Sequence, residues 1–194
     1  VAKWLTEKFS TDFWEKAVMY HSTFLRTHAL ATEIIHQVAE RHDRRFWMRV
    51  VEDGRLNEKW DGIFHELPKA EIAERYPDQL RLRERSDYYH FRPIGGENCP
   101  DVEMRVRSLL GDMVLIDRPM ILCGHGRWFT IFEKIIHGFT VEQFLNRKKE
   151  GTINGQISVY EPMIDYASID YETGIPTPIV PWQGLIDVQK SEEA

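Results

Sequence analysis

The stretch that most limits what this chain can fold into is residues 118–137, RPMILCGHGRWFTIFEKIIH. Met120, Ile121, Leu122 and Cys123 form a short unbroken apolar run, the pattern of a parallel strand covered on both faces. Trp128, Phe129, Ile131, Phe132, Ile135 and Ile136 then recur at helical spacing, which predicts a helix packed by one broad apolar face. Gly124 and Gly126 bracket His125 in the turn between them. A group in that turn sits at the carboxyl end of a strand and the amino end of a helix, where free backbone N–H groups and the helix dipole favour an anion, and phosphate is the expected one.

The rest of the chain supplies partners for such a strand–turn–helix unit. Residues 10–19 predict a short helix capped by Ser10, followed by an extended MYHS. FLRTHALATEIIHQVAERHD carries Leu30, Ile34 and Val38 at helical steps and puts Arg26 in its first turn. FWMRVVED, residues 46–53, reads as a strand that leads into the loop GRLNEKWDG. Pro68 starts a helix that Pro77 ends, and residues 78–91 predict another that stops before the RPIGGEN loop. Asn98, with Asp101 three residues on, has the spacing of a helix cap and opens PDVEMRVRSLLGDM. Thr140 caps VEQFLNRKK, TINGQISVY reads as a strand after a turn, and YASIDYETG as an edge hairpin element. Residues 175–194 hold three of the nine prolines and are expected to be an extended tail.

Helices alternating with short apolar strands predict one three-layer α/β/α domain over residues 1–194, with a mainly parallel central sheet. A net charge of -6 gives no general basic field for nucleic acid, and no window has the uncharged apolar length of a membrane span. Cys99 and Cys123 have no CxxC spacing and are expected to be free thiols in a reducing, cytoplasmic setting. The eight histidines form no HExxH; His65 with Glu66 lacks a partner four residues on, so neither metal nor cofactor is expected.

Four pieces, HSTFLRTHALATEII, EDGRLNEKWDG, PIGGENCPDVEMRVRSLL and ILCGHGRWF, stand in one order. Over roughly Leu5 to Pro162 this order resembles the histidine phosphatase superfamily, also called the phosphoglycerate mutase-like family, and PIGGEN resembles its phosphatase branch. The resemblance implies a phosphoglycerate mutase-like fold and a metal-independent phosphomonoester phosphatase acting through a phosphohistidine on a phosphorylated small molecule. It implies that His125 and Arg26 hold the phosphoryl oxygens, that Glu58 protonates the leaving oxygen, and that Glu97, Gly124 and Gly126 support the pocket. Donors aimed at the equatorial oxygens supply most of the stabilisation in such chemistry, and a guanidinium is a permanently charged fork.

The resemblance breaks at the nucleophile. The family carries an arginine-histidine-glycine motif at the end of its first strand, upstream of the position of Leu5–Lys8, and this chain has none. Arg41 and His42 close a polar helical run instead of an apolar strand and are rejected for the role. The expectation is therefore that native residues bearing that strand lie outside the given sequence, or that the nucleophile has been lost. Mutase-type transfer to a second hydroxyl and a non-catalytic phosphate-binding domain remain as alternatives. Trp60, Tyr88, Tyr89, Phe91 and Trp128 could line a pocket for an aromatic phosphoester, or belong to the core. Substrate and oligomeric state stay open.

Overall fold

A computed structural model describes residues 1–42, 48–161 and 183–185. Its centre is a parallel sheet of three strands, β1 (Val18–His21), β2 (Arg49–Glu52) and β3 (Met120–Cys123), in the order β2-β1-β3. The register sets His21 opposite both Glu52 and Cys123, so all three strands end at one level. Every residue of β1 is buried, as a central parallel strand requires.

Successive side chains of β1 feed opposite cores. Val18 and Tyr20 pack with Val102, Val106 and Leu109 of α6 (Cys99–Met113) and Trp128, Ile131 and Phe132 of α7 (Gly126–Ile136). Met19 packs with Ile34 and Val38 of α3 (Leu25–His42), with Leu5 of α1 (Ala2–Lys8), and with Trp14 of α2 (Thr11–Lys16). The expected three layers are thus present. The strands are contiguous, with no gap inside the sheet. Among the described residues no strand pairs with the outer edge of β3.

Local signals place most boundaries. Ser10 Oγ accepts the Phe13 N–H at the start of α2. Asn98 and Asp101 form a reciprocal capping box on α6, as do Thr140 and Gln143 on α8 (Val141–Glu150). Pro68 precedes α4 (Lys69–Arg75), and Pro77 both closes α4 and opens α5 (Pro77–Arg85). Helix α1 had no signal in the sequence reading.

Two expectations are corrected. The helix expected over 78–91 stops at Arg85, because Ser86 is extended and Asp87 caps a separate turn, taking the His90 N–H at 2.8 Å. The strand expected over TINGQISVY shrinks to β4 (Val159–Glu161), because Gly151 and Gly155, at φ 77° and 78°, turn the chain before it. β4 pairs antiparallel with β5 (Gln183–Leu185), which falls within the expected tail. The hairpin element YASIDYETG and the rest of the tail lie outside the described residues. No described helix is long and apolar enough to cross a membrane. Cys99 and Cys123 are buried free thiols, as expected.

Two loops that frame the cleft above the sheet lie back to back. Ile63 N–H donates to Ile94 O at 3.0 Å and Glu97 N–H to Trp60 O at 2.8 Å. The approach requires glycine at position 62, where φ is +54° and a Cβ would be driven into the Ile94 carbonyl. Gly62→Ala should cost about 1–3 kcal/mol in chemical denaturation, the usual scale for enforced backbone strain. Gly111→Ala, in open space on α6, should instead raise stability by up to about 1 kcal/mol.

Candidate active site

Above the carboxyl ends of β1 and β3 the chain brings together residues about a hundred positions apart. Cys123 O accepts the Ser22 N–H at 3.3 Å, which fixes the start of the segment leading into α3 against the turn leading into α7. His125 caps α7 in an extended conformation and is 7% exposed. Its ring bridges two neighbours. Arg26 Nε and Nη2 lie 3.1 and 2.8 Å from His125 Nδ1, and Ser22 Oγ lies 2.7 Å from Nε2.

These partners fix the tautomer. A guanidinium can only donate, so Nδ1 is the acceptor and the ring proton sits on Nε2, where it donates to Ser22 Oγ. The Ser22 hydroxyl in turn shares a 2.7 Å hydrogen bond with Thr27 Oγ1. Burial, followed by the Arg26 charge, pushes the His125 pKa down to about 4, so the ring is neutral near pH 7. Phe24 completes the arrangement, with its ring 5.0 Å edge-on from His125 and 4.7 Å from the Arg26 guanidinium.

Glu58 arrives from the loop that follows β2. Asn57 Oδ1 accepts the Thr23 N–H at 3.0 Å, tying that loop to the β1 end, while Arg105 Nη1 and Trp128 Nε1 both donate to Arg55 O, at 2.8 and 2.7 Å. Glu58 Oε1 takes the Trp128 N–H at 3.3 Å, and Oε2 lies 3.5 Å from the Arg127 nitrogen. The amino end of α7 thus receives the chain's own carboxylate, beside the turn where the sequence predicts a phosphate. Glu97 accepts the Trp60 N–H at 2.8 Å and pairs with Arg105 at 3.0 Å, which locks the two cleft loops together.

A cleft of about 370 Å³ opens between Thr23 and Phe24 on one side and Asn57, Glu58, Trp60, Glu97 and Arg105 on the other. Of the expected residues, Arg26 and His125 are in direct contact, Glu58 reaches the same helix terminus, and Glu97 supports the loop that carries Trp60. Gly124 and Gly126 leave room: a Cβ on Gly124 would sit 3.2 Å from the Trp128 ring, and one on Gly126 would meet the Thr152 hydroxyl. Tyr89 and Trp128 belong to the core, whereas Trp60 is 41% exposed, with its ring tilted 34° against His65. Among the described residues no cluster of His, Cys, Asp and Glu suited to a metal ion occurs.

The sequence reading passed over Arg105 and Arg127. Arg105 lies eight residues after Glu97, beside the apolar stripe of α6, and Arg127 directly follows the Gly-His-Gly turn. Burial opposes the Arg127 charge, but its hydrogen bonds to Asp61 and the charge of Glu58 hold its pKa above the usual value.

The buried neutral state of His125 has a stability consequence. An unfolded imidazole binds a proton near pH 6.5 and the folded one only near 4, so the unfolded state gains protons first and stability falls as pH drops through that window. Between pH 7.5 and 4.5 this group should account for a loss of about 2–3 kcal/mol. Denaturant titrations of the wild type and His125→Gln should show a shallower pH dependence in the variant.

Comparison with known proteins agrees with this fold. The family model described as histidine phosphatase superfamily (branch 1) matches residues 1–163. A Gallus gallus 6-phosphofructo-2-kinase/fructose-2,6-bisphosphatase is 31% identical over 68 residues, which is 35% of this chain and 14% of that protein. The Homo sapiens 6-phosphofructo-2-kinase/fructose-2,6-bisphosphatase 3 matches at 31% over 68 residues, 35% of this chain and 13% of its length. The matched segment is thus a small part of those relatives. Among solved structures, a mycobacterial glucosyl-3-phosphoglycerate phosphatase superposes with a TM-score of 0.66 at 22% identity, covering 96% of this chain and 81% of that one. An Escherichia coli protein described as a putative alpha-ribazole-5'-P phosphatase superposes at 0.59 with 14% identity, covering 75% and 66%. With the family model spanning most of its length and the fold in agreement, the chain belongs to the histidine phosphatase superfamily, branch 1.

Proposed function

We propose that the protein is a metal-independent phosphomonoester phosphatase that works through a phosphohistidine and acts on a phosphorylated small molecule. The observation that carries this reading is the contact of Arg26 with His125 at the carboxyl ends of β1 and β3, with Glu58 held at the neighbouring helix terminus. Family membership supports it. So do the names of the neighbours, which are phosphatases of small phosphate esters.

On this reading the incoming phosphoryl group takes Arg26 from His125. The guanidinium turns its fork to two phosphoryl oxygens, and the vacated Nδ1, freed of the Arg26 charge and facing the phosphate's negative charge, takes up a proton and donates it as a hydrogen bond to a third oxygen. The substrate's negative charge entering beside Glu58 favours uptake of a proton from solvent by its carboxylate, and Glu58 then gives that proton to the departing oxygen, a step that matters most when the leaving group is a poor one such as an alkoxide. The phosphohistidine itself needs a nucleophilic imidazole. The outer edge of β3 offers a place for a strand that would end beside His125, and the nucleophile is assigned to such a strand.

A second reading is phosphate binding without chemistry. It is favoured by one observation: among the described residues no other imidazole makes a ring contact or hydrogen bond with His125 or Arg26.

Rapid-quench turnover of radiolabelled phosphate esters by the native protein, in the presence of a chelator, separates the two. The expected outcome is hydrolysis that passes through an acid-labile, alkali-stable phosphoenzyme on histidine. Arg26→Ala should lower kcat/KM by roughly 100-fold or more, the scale of a lost charged clamp. Glu58→Gln should slow alkyl phosphates far more than nitrophenyl phosphate. Phosphate binding with no turnover and no phosphoenzyme would leave the binding reading in place and end the catalytic one.

A further inference from the structure

The Nε2 side of His125 meets a buried pair of hydroxyls, Ser22 at 0% and Thr27 at 3% exposure. Every hydrogen there can be given a direction. Thr27 Oγ1 donates to the Phe24 carbonyl at 2.8 Å, with the Ser22 carbonyl also in reach at 3.1 Å. Its one hydrogen is then committed, so in the 2.7 Å contact between Ser22 Oγ and Thr27 Oγ1 the serine donates. Ser22 has no second hydrogen for the ring. Its oxygen accepts the His125 Nε2–H at 2.7 Å and the Phe24 N–H at 3.2 Å, which uses both lone pairs.

The hydrogens therefore run one way, from the ring through Ser22 and Thr27 to the backbone. Reversal would make Thr27 turn its hydrogen to Ser22 and give up its bond to the carbonyls. At a buried site solvent does not readily replace such a bond.

This polarity decides what happens at the other ring nitrogen. In the free protein the Nδ1 lone pair faces the Arg26 fork. A phosphoryl group that draws Arg26 away leaves that lone pair opposite an anionic oxygen, a repulsive contact unless Nδ1 carries a proton. A ring free to change tautomer would give up the Nε2 proton in exchange and stay neutral. His125 can do so only by reversing the hydroxyl chain. The surrounding charges weigh on the same step. Arg26 of α3, Arg105 of α6 and Arg127 of α7 oppose a charge on the ring, Glu58 of the loop after β2 favours one, and His21 of β1 gives its Nδ1–H to the Ser22 carbonyl at 2.8 Å. An incoming dianion adds to the favourable side and engages Arg26.

We propose that Thr27 and Ser22 form a positioning relay that locks the His125 proton on Nε2, so that a phosphoryl group displacing Arg26 is received by an imidazolium whose second proton comes from solvent. The inference rests on the reading that Arg26 and His125 hold the phosphoryl oxygens. Thr27 touches no substrate atom and acts only through Ser22 and His125.

Sulfate, a tetrahedral dianion that does not titrate near pH 7, is the probe. Calorimetric titration of the native protein in buffers of different ionisation enthalpy counts the protons taken up per sulfate bound. The native protein and Thr27→Ser, which keeps the hydroxyl, should each take up roughly one proton more than Thr27→Val, in which Ser22 is free to donate to Nε2. Glu58 is the same in all three proteins, so its share cancels. Equal uptake in Thr27→Ser and Thr27→Val overturns the relay. The nitrogen NMR spectrum of the His125 ring in the native protein needs no variant: with sulfate bound both ring nitrogens should carry protons, and a neutral ring protonated at Nδ1 alone overturns the relay as well. Sulfate binding that Arg26→Ala abolishes upholds the phosphoryl reading whichever way the relay falls. Binding indifferent to Arg26→Ala, or none at all, fails both.

Discussion

The parallel ladder between β1 and β3 is the constraint on which the site depends. Its register sets His21 beside Cys123, so the chain leaves both strands at one height, and the hydrogen bond from Ser22 to Cys123 O carries the pairing one step further. Arg26 and His125 meet because each follows its strand end by a few residues, Arg26 in the first turn of α3 and His125 at the cap of α7. Neither could find the other by local preference. The ladder is itself held by cores on both faces, so deep positions such as Met19 and Val106 support the site without touching it.

Around that pair the electrostatics is divided. One side holds a neutral imidazole with a guanidinium whose hydrogen bonds end on nitrogen instead of a carboxylate, which leaves the Arg26 charge available. The other side is a network in which Arg105 pairs with Glu97, Arg127 pairs with Asp61, and Arg55 bridges Asp53 and Asp112. The Arg55–Asp53 contact holds the Asp53 carboxyl below its usual range. These pairs fix the loop that carries Glu58 with charge-assisted bonds, whose forked geometry specifies position as well as energy. The loop is held because it is laced to α6, α7 and the segments before α3 and α6.

Much of this was legible in the sequence because it is written in local patterns. The apolar run at 120–123, the helical spacing after His125, the capping pair Asn98–Asp101 and the Thr140 cap each act within a few residues, and each element stands where it was expected. The order of motifs pointed to Arg26, Glu58, Glu97 and His125 as candidates. The end of α5 and the shortness of β4 were missed because Asp87 and two left-handed glycines outweigh propensity over single turns. Arg105 and Arg127 were hidden for a different reason. An arginine beside an apolar stripe looks like any solvated helix residue until the Asp61 or Glu97 that answers it, from a distant segment, is known.

The carboxylate of Glu58 at the amino end of α7 bears on how folding and ligand binding relate. A helix terminus that waits for a substrate leaves orphan N–H groups in the empty protein, and its stability then rises and falls with ligand concentration. Here Glu58 takes two of those N–H groups from within. The amino end of α7 can therefore reach its final form without a ligand as a template.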